Sequence, residues 1–148
     1  MSAIDAVREV YTPFKPHNVR AGIANEELLA VTAKRREEHR RRWQEIIDKK
    51  LVEWGRDPEE LADDDLVPPS HAAVDSAVQK AQVWRDARES DDDFVPSPQW
   101  VVPNGDGGIV FEWREESTVA VVEVFDDGSS DCAIFEDNKL VSRTPIDE

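Results

Sequence analysis

The sequence predicts an α+β fold: N-terminal helices, one long, one medium and one short, packed on a C-terminal antiparallel β-meander of about four strands. Three observations lead there. Apolar residues recur at three-and-four spacing as far as Trp84, as one helix face requires, and alternate after Trp100, as a half-buried strand requires. Capping residues punctuate the first part, while Asp-Gly and Asp-Asn pairs divide the last third into short segments. At 148 residues the chain is long enough for one domain with a real core.

Residues 1–24 read as an extended or partly ordered arm. Ser2 can cap a short helix through Val10, Pro13 and Pro16 then break it, and Tyr11 and Phe14 are its means of leaning on the body. The helical part is expected over 25–90. Asn25 is a helix-starting residue, and Glu26 and Glu27 suit the positive end that follows. Leu28, Val31, Trp43, Ile47, Leu51 and Trp54 form the apolar stripe, with Gly55 placed to end the helix in a left-handed cap. The stretch 33–42 has almost no apolar residue, so the continuity of this helix stays open.

Asp57, Pro58 and Glu60 signal a short helix over 58–62, followed by a linker with Asp63, Asp64, Asp65, Pro68 and Pro69. Ser70 caps the next helix, whose narrow face of Val74, Ala77, Val78, Ala81 and Trp84 allows close packing. Residues 91–148 hold the meander, forming one domain with the helices. Its segments are Trp100–Val102, Ile109–Arg114, Thr118–Phe125, Asp131–Glu136 and Lys139–Arg143, with Asp127–Gly128 and Asp137–Asn138 as hairpin turns. The core is expected to include Trp43, Ile47, Leu51, Trp54, Val78, Ala81, Trp84, Phe111, Trp113, Val122, Val124 and Ile134.

Charge is unevenly placed. Residues 1–56 carry 12 Lys/Arg against 9 Asp/Glu, and residues 57–148 carry 6 against 24, which together give the net −15. A body this acidic repels phosphate at long range and favours basic protein partners. One cysteine, Cys132, excludes an intrachain disulfide and suits a reducing compartment. No apolar run approaches the ~20 residues needed to span a bilayer. The acid-bearing MSAIDAVREVY is no signal peptide, so a cytoplasmic location and no membrane contact are expected.

The chemical motifs are absent. PNGDGGIVFEW has glycines at 105, 107 and 108, but Val110 stands where a dinucleotide fingerprint needs its last glycine, and a strand follows instead of a helix. It also lacks the Gly-Lys-Ser/Thr ending of a phosphate loop, so it reads as a turn. Asp126, Asp127 and Asp131 do not follow the alternate-ligand order of a calcium loop. His17, His39 and His71 pair with neither each other nor Cys132 at zinc spacing. No nucleophile elbow is present. The expectation is therefore no enzyme, no cofactor and no metal.

The distinctive charged stretch is KRREEHRRRW, 34–43, with Lys49 and Lys50 beyond it. Arg35, Arg36, Arg40, Arg41 and Arg42 spread around one helix, with Glu37–Arg41 and Glu38–Arg42 at the spacing of ion pairs. It reads as a solvated face, as a docking surface for acids of this chain or of a partner, or as a phosphate contact.

The stretches LVEWGRDPEELADDDLVPPS and VVPNGDGGIVFEW together resemble small, uncharacterised bacterial proteins with a helical first half, a proline-rich joint and a P-x-x-D-G-G-I-x-x-E-W hairpin, over residues 43–125. No catalytic residues come with that resemblance. It implies a bacterial or phage protein that acts by binding. The expected function is thus an acidic protein-interaction module, antitoxin-like or regulatory, for a basic partner. The contact residues would come from Tyr11, Phe14, Asp63–Asp65 and the arginines just named. The alternatives are nucleic-acid association through 34–50 and a structural or self-associating subunit.

Overall fold

The computed structural model describes residues 25–57, 66–86 and 95–146, with side chains of the first helix from Lys34 onward. The expected arm at 1–24 with Tyr11 and Phe14, the short helix at 58–62 and the linker acids Asp63, Asp64 and Asp65 lie outside the described residues.

The fold is α+β. Two helical rods are described. The first runs without interruption through α1 (Asn25–Glu45), a π-helical segment (Ile46–Leu51) and α2 (Val52–Arg56). In a regular α-helix each step of four residues advances about 400°, so a stripe at fours drifts about 40° per step. The wider π turn slows that rotation and keeps Trp43, Ile47 and Leu51 all buried on one side. Gly55 is not the left-handed cap expected of it. It sits inside α2, and the rod ends at Arg56 with Asp57 as its C-cap. Its lack of a side chain serves a close approach instead, since a Cβ there would lie 3.1 Å from Val74 Cγ1.

The second rod is α3 (His71–Asp86). Ser70 caps it as expected, with its Oγ accepting the Ala73 N–H at 3.0 Å and donating to the Asp126 carbonyl. Ala73, Val74, Ala77, Ala81 and Trp84 are its buried face.

The sheet has five strands, not about four: β1 (Trp100–Pro103), β2 (Ile109–Glu115), β3 (Thr118–Val124), β4 (Ser130–Glu136) and β5 (Lys139–Pro145). Each pairs antiparallel with the next, in the order β1-β2-β3-β4-β5. The short β1 is recruited because the loop after it reverses the chain in register, setting Trp100 against Glu112 and Pro103 against Ile109. On its outer edge Lys50 reaches across from the first rod and donates to the Val101 carbonyl at 3.2 Å. Asp137 and Asn138 both take positive φ, 50° and 66°, the pair of angles a two-residue primed hairpin turn requires.

The β1–β2 loop is built by one side chain. Asn104 Oδ1 accepts the N–H groups of Asp106 and Gly108, both at 2.8 Å, and Asn104 Nδ2 donates to Glu123 on β3 at 2.9 Å. Gly108 passes so close to β3 that a Cβ would meet the Val124 carbonyl oxygen at 2.2 Å. The loop then holds the strand-like segment leading into α3: Val67 N–H donates to the Gly105 carbonyl at 2.8 Å and Ser70 N–H to the Gly107 carbonyl at 2.9 Å.

The helices cover the face of the sheet that carries Ile109, Phe111, Trp113, Ala120, Val122, Val124 and Cys132. At its centre Trp43, Trp84, Phe111 and Trp113 meet with ring centroids 5.3–6.3 Å apart. Aromatic contacts at these separations add about 0.5–1.5 kcal/mol per pair to the area they bury. Of the expected core residues, Trp54, Val78 and Ile134 are only partly buried against this centre. Val74 and Ala77 join it from the narrow helix face, and Val95, Val101, Ala73 and Ile146 join it unannounced.

The stretch Val95–Pro98 is a strap fastened from both sides. Trp43 Nε1 donates to the Val95 carbonyl and Trp113 Nε1 to the Pro96 carbonyl, both at 2.9 Å. His39 closes it: the Ser97 N–H and hydroxyl reach its Nδ1 at 3.1 and 3.0 Å.

Candidate functional site

The arginines picked out by sequence all lie on α1 and do not converge. Arg35, Arg41 and Arg42 are exposed, while Arg36 and Arg40 are half-buried. Arg40 meets Asp86 at the end of α3 at 3.8 Å, and Arg85 beside it donates to Gln44 at 2.7 Å. Arg40 thus pairs across to the second rod, and among the described residues neither Glu37–Arg41 nor Glu38–Arg42 closes along the helix. Among the described residues no three His, Cys, Asp or Glu side chains come together as metal donors, and no described helix is long and apolar enough to cross a membrane.

Among the described residues, His39 is the titratable group most altered by its surroundings. Its pKa falls from the ordinary 6.5 to about 4, first because burial disfavours the charged ring, then because Arg42 and Arg35 repel it; Glu38 pulls the other way. The geometry agrees. A backbone N–H can only donate, so Nδ1 accepts from Ser97 and the ring proton sits on Nε2. This is a structural histidine that fastens the strap.

Two surfaces remain. The first is the outer face of the sheet, on which no described helix packs. Its rows follow from the register: Trp100 beside Glu112, Val121 and Ala133; Val102 beside Val110, Glu123 and Asp131; Arg114 beside Val119, Phe135 and Leu140. Trp100, Val102 and Leu140 are 48%, 44% and 53% exposed. Its charges are partly matched in place, Arg114 with Glu112 and Arg143 with Asp131, each at 3.8 Å. The result is a mixed face, with Trp100 and Val102 exposed at one edge, Leu140 at the other, and Glu112, Arg114, Glu123 and Asp131 on the strands between them. Sequence alternation marks these residues as outward-facing, but only the strand order shows which of them are neighbours on one face.

The second is a cleft of about 350 Å³ between α3, the β3–β4 turn and the end of β5. Lys80 and Ser76 line it from the helix, Asp127, Ser129 and Ser130 from the turn and β4, and Ile146 closes one side. Lys80 Nζ donates to Ser76 Oγ at 2.9 Å, and Asp127 Oδ1 accepts the Ser129 N–H and hydroxyl at 2.9 and 2.6 Å. That hydroxyl bond, followed by the backbone one, holds the Asp127 carboxyl below its usual range. Sequence reasoning missed Lys80, although the signal was there: it falls at helical spacing with Ala73, Ala77 and Trp84, on a face where only apolar residues were counted.

Comparison with protein-family models, with curated proteins and with solved structures finds no match to this chain.

Proposed function

We propose that this chain acts by binding another protein, as a non-catalytic acidic module, antitoxin-like or regulatory in a bacterial or phage setting. The outer face of the sheet is the contact surface, and the net charge of −15 selects a basic partner. One observation carries the reading: Trp100, Val102 and Leu140 stay about half exposed on a sheet face that also carries Val110, Val121 and Phe135. Exposed apolar residues interspersed with charges suit a protein contact, and tryptophan is enriched among residues that dominate such contacts.

The test compares wild type with the double variant Trp100→Asp, Val102→Asp in capture experiments from a bacterial lysate, at low and moderate salt. A stoichiometric basic protein retained by wild type and lost by the variant is expected, with far-UV circular dichroism unchanged. Capture of nothing at either salt, or equal capture by both proteins, overturns the proposal.

A second reading, nucleic-acid association, has the exposure of Arg35, Arg41 and Arg42 in its favour. The acidic remainder opposes it. Fluorescence anisotropy with a labelled oligonucleotide at low salt separates the two: binding that vanishes in the Arg40→Ala, Arg41→Ala, Arg42→Ala variant supports this reading, and no binding removes it.

A further inference from the structure

We propose that the outer face of the sheet takes this chain's own residues 10–24 as a built-in ligand, which an outside partner must displace. That surface is also the proposed contact face, so the displacement rests on the proposed function, while the seating of the arm does not. The first support is charge. Residues 10–25 are the longest stretch of the chain without Asp or Glu, and they carry Lys15 and Arg20. On the face itself, Arg114 and Arg143 already pair with Glu112 and Asp131, each at 3.8 Å. The turns at one end of the sheet add Glu115, Glu116, Glu136 and Asp137, all exposed, against Lys139. A basic segment entering from that end is drawn in by four carboxylates, whereas a second copy of net charge −15 is repelled.

The second support is reach. Lys50 touches Val101 and His39 touches Ser97, so the first rod, followed toward its start, heads for the end of the sheet where β2 turns into β3. Asn25 lies about 21 Å further along the rod than His39, at about 1.5 Å per residue. Phe14 precedes Asn25 by 11 residues, and an extended chain of that length spans up to about 36 Å. That covers the return of about 21 Å and a step of about 10 Å, the spacing of packed sheets, onto the outer face. Pro13 and Pro16 favour an extended path. The row of the face nearest that end holds Arg114, Val119, Phe135 and Leu140, with Leu140 53% exposed. Tyr11 and Phe14 thus come within reach of apolar side chains, and Lys15 and Arg20 within reach of the acidic turns.

The experiment compares two-dimensional ¹H–¹⁵N NMR spectra of the full-length wild type and the full-length variant Tyr11→Ser, Phe14→Ser, Lys15→Glu, Arg20→Glu. Amide shifts between the two are expected at Trp100, Glu112, Val121, Phe135 and Leu140, with the buried face of the sheet unmoved. Both proteins are then titrated with a synthetic peptide of residues 10–24 in its wild-type sequence. The variant, its own arm disabled, should bind the peptide at the same amides with a dissociation constant on the order of 0.1 mM. A tethered arm competes at an effective concentration of about 1 mM, so wild type should bind the peptide about tenfold more weakly. Equal affinity for the two proteins, no binding to the variant, or shifts centred away from the outer face overturns the proposal. Wild-type shifts at the face that grow with protein concentration would assign it to the arm of a second copy and overturn it too. No outside partner enters the measurement, so failure to capture a basic protein and failure to seat the arm are separate results.

Discussion

Acidification should loosen the strap at Val95–Pro98 through one residue, His39. Its folded-state pKa of about 4 lies below the ordinary 6.5, so between these values the unfolded chain binds the proton that the native chain refuses. The histidine contribution is therefore fully present above about pH 6.5 and is lost as pH falls toward 4. A gap of this size is worth about 2 kcal/mol at pH 5 without screening, from about 1.4 kcal/mol per pKa unit. The ring retains some contact with water and its charged neighbours Arg35, Arg42 and Glu38 are solvated, so about 1 kcal/mol is the working figure. Urea unfolding followed by far-UV circular dichroism at pH 7.5, 6.0 and 5.0 measures it. Carboxylates also begin to titrate near pH 5, so the comparison is with His39→Gln, whose amide oxygen keeps an acceptor for the Ser97 N–H but cannot take a proton. Wild type should lose about 1 kcal/mol more than the variant between pH 7.5 and 5.0. Parallel losses in the two proteins would show that Nδ1 is not the acceptor the geometry makes it.

Three further outcomes follow from the loops and the core. Gly108→Ala should cost at least about 2 kcal/mol in the same urea assay, because neither the Val124 carbonyl at 2.2 Å nor Asn104 can withdraw cheaply; a cost under about 0.5 kcal/mol contradicts the close approach. Ser70→Ala should cost about 1–2 kcal/mol by removing both the helix cap and the bond to the Asp126 carbonyl. Asn138→Gly should be neutral or stabilising by up to about 1 kcal/mol, whereas Asn138→Val should destabilise, since φ 66° is open to glycine and closed to a β-branched residue.

Local chemistry was legible in the sequence wherever a residue acts on its own neighbourhood. Ser70 caps the helix it precedes, Ile109, Phe111 and Trp113 turn inward by alternation, and Asp137–Asn138 makes the turn its composition demands. What could not be read depends on partners distant in the chain. Gly55 looks the same whether it caps a helix or lets one approach another, and only Val74 decides. The π segment corrects a rotational drift that matters because α3 and the sheet are there to be faced. His39 answers to Ser97, 58 residues away, and no local pattern links them. The candidate surfaces are harder still. The outer face exists only once five strands stand in order, and the cleft only once α3 and the β3–β4 turn are side by side. The glycine loop at 105–108 is a case between: its reversal was expected, but its grip on the segment entering α3 was not.

The aromatic centre has a spectroscopic consequence. Each layer contributes one indole: Trp43 from the first rod, Trp84 from the second and Trp113 from the sheet, with centroids 5.4, 5.5 and 6.2 Å apart. Rings so close and so inclined to one another couple their electronic transitions, and the near-ultraviolet circular dichroism of the native protein then carries the mutual orientation of all three layers. A state that keeps its helices and strands but lets a rod lift off the sheet would lose that signal while its far-ultraviolet spectrum stayed. The molecule thus contains its own optical gauge of whether the layers are closed, readable without a label.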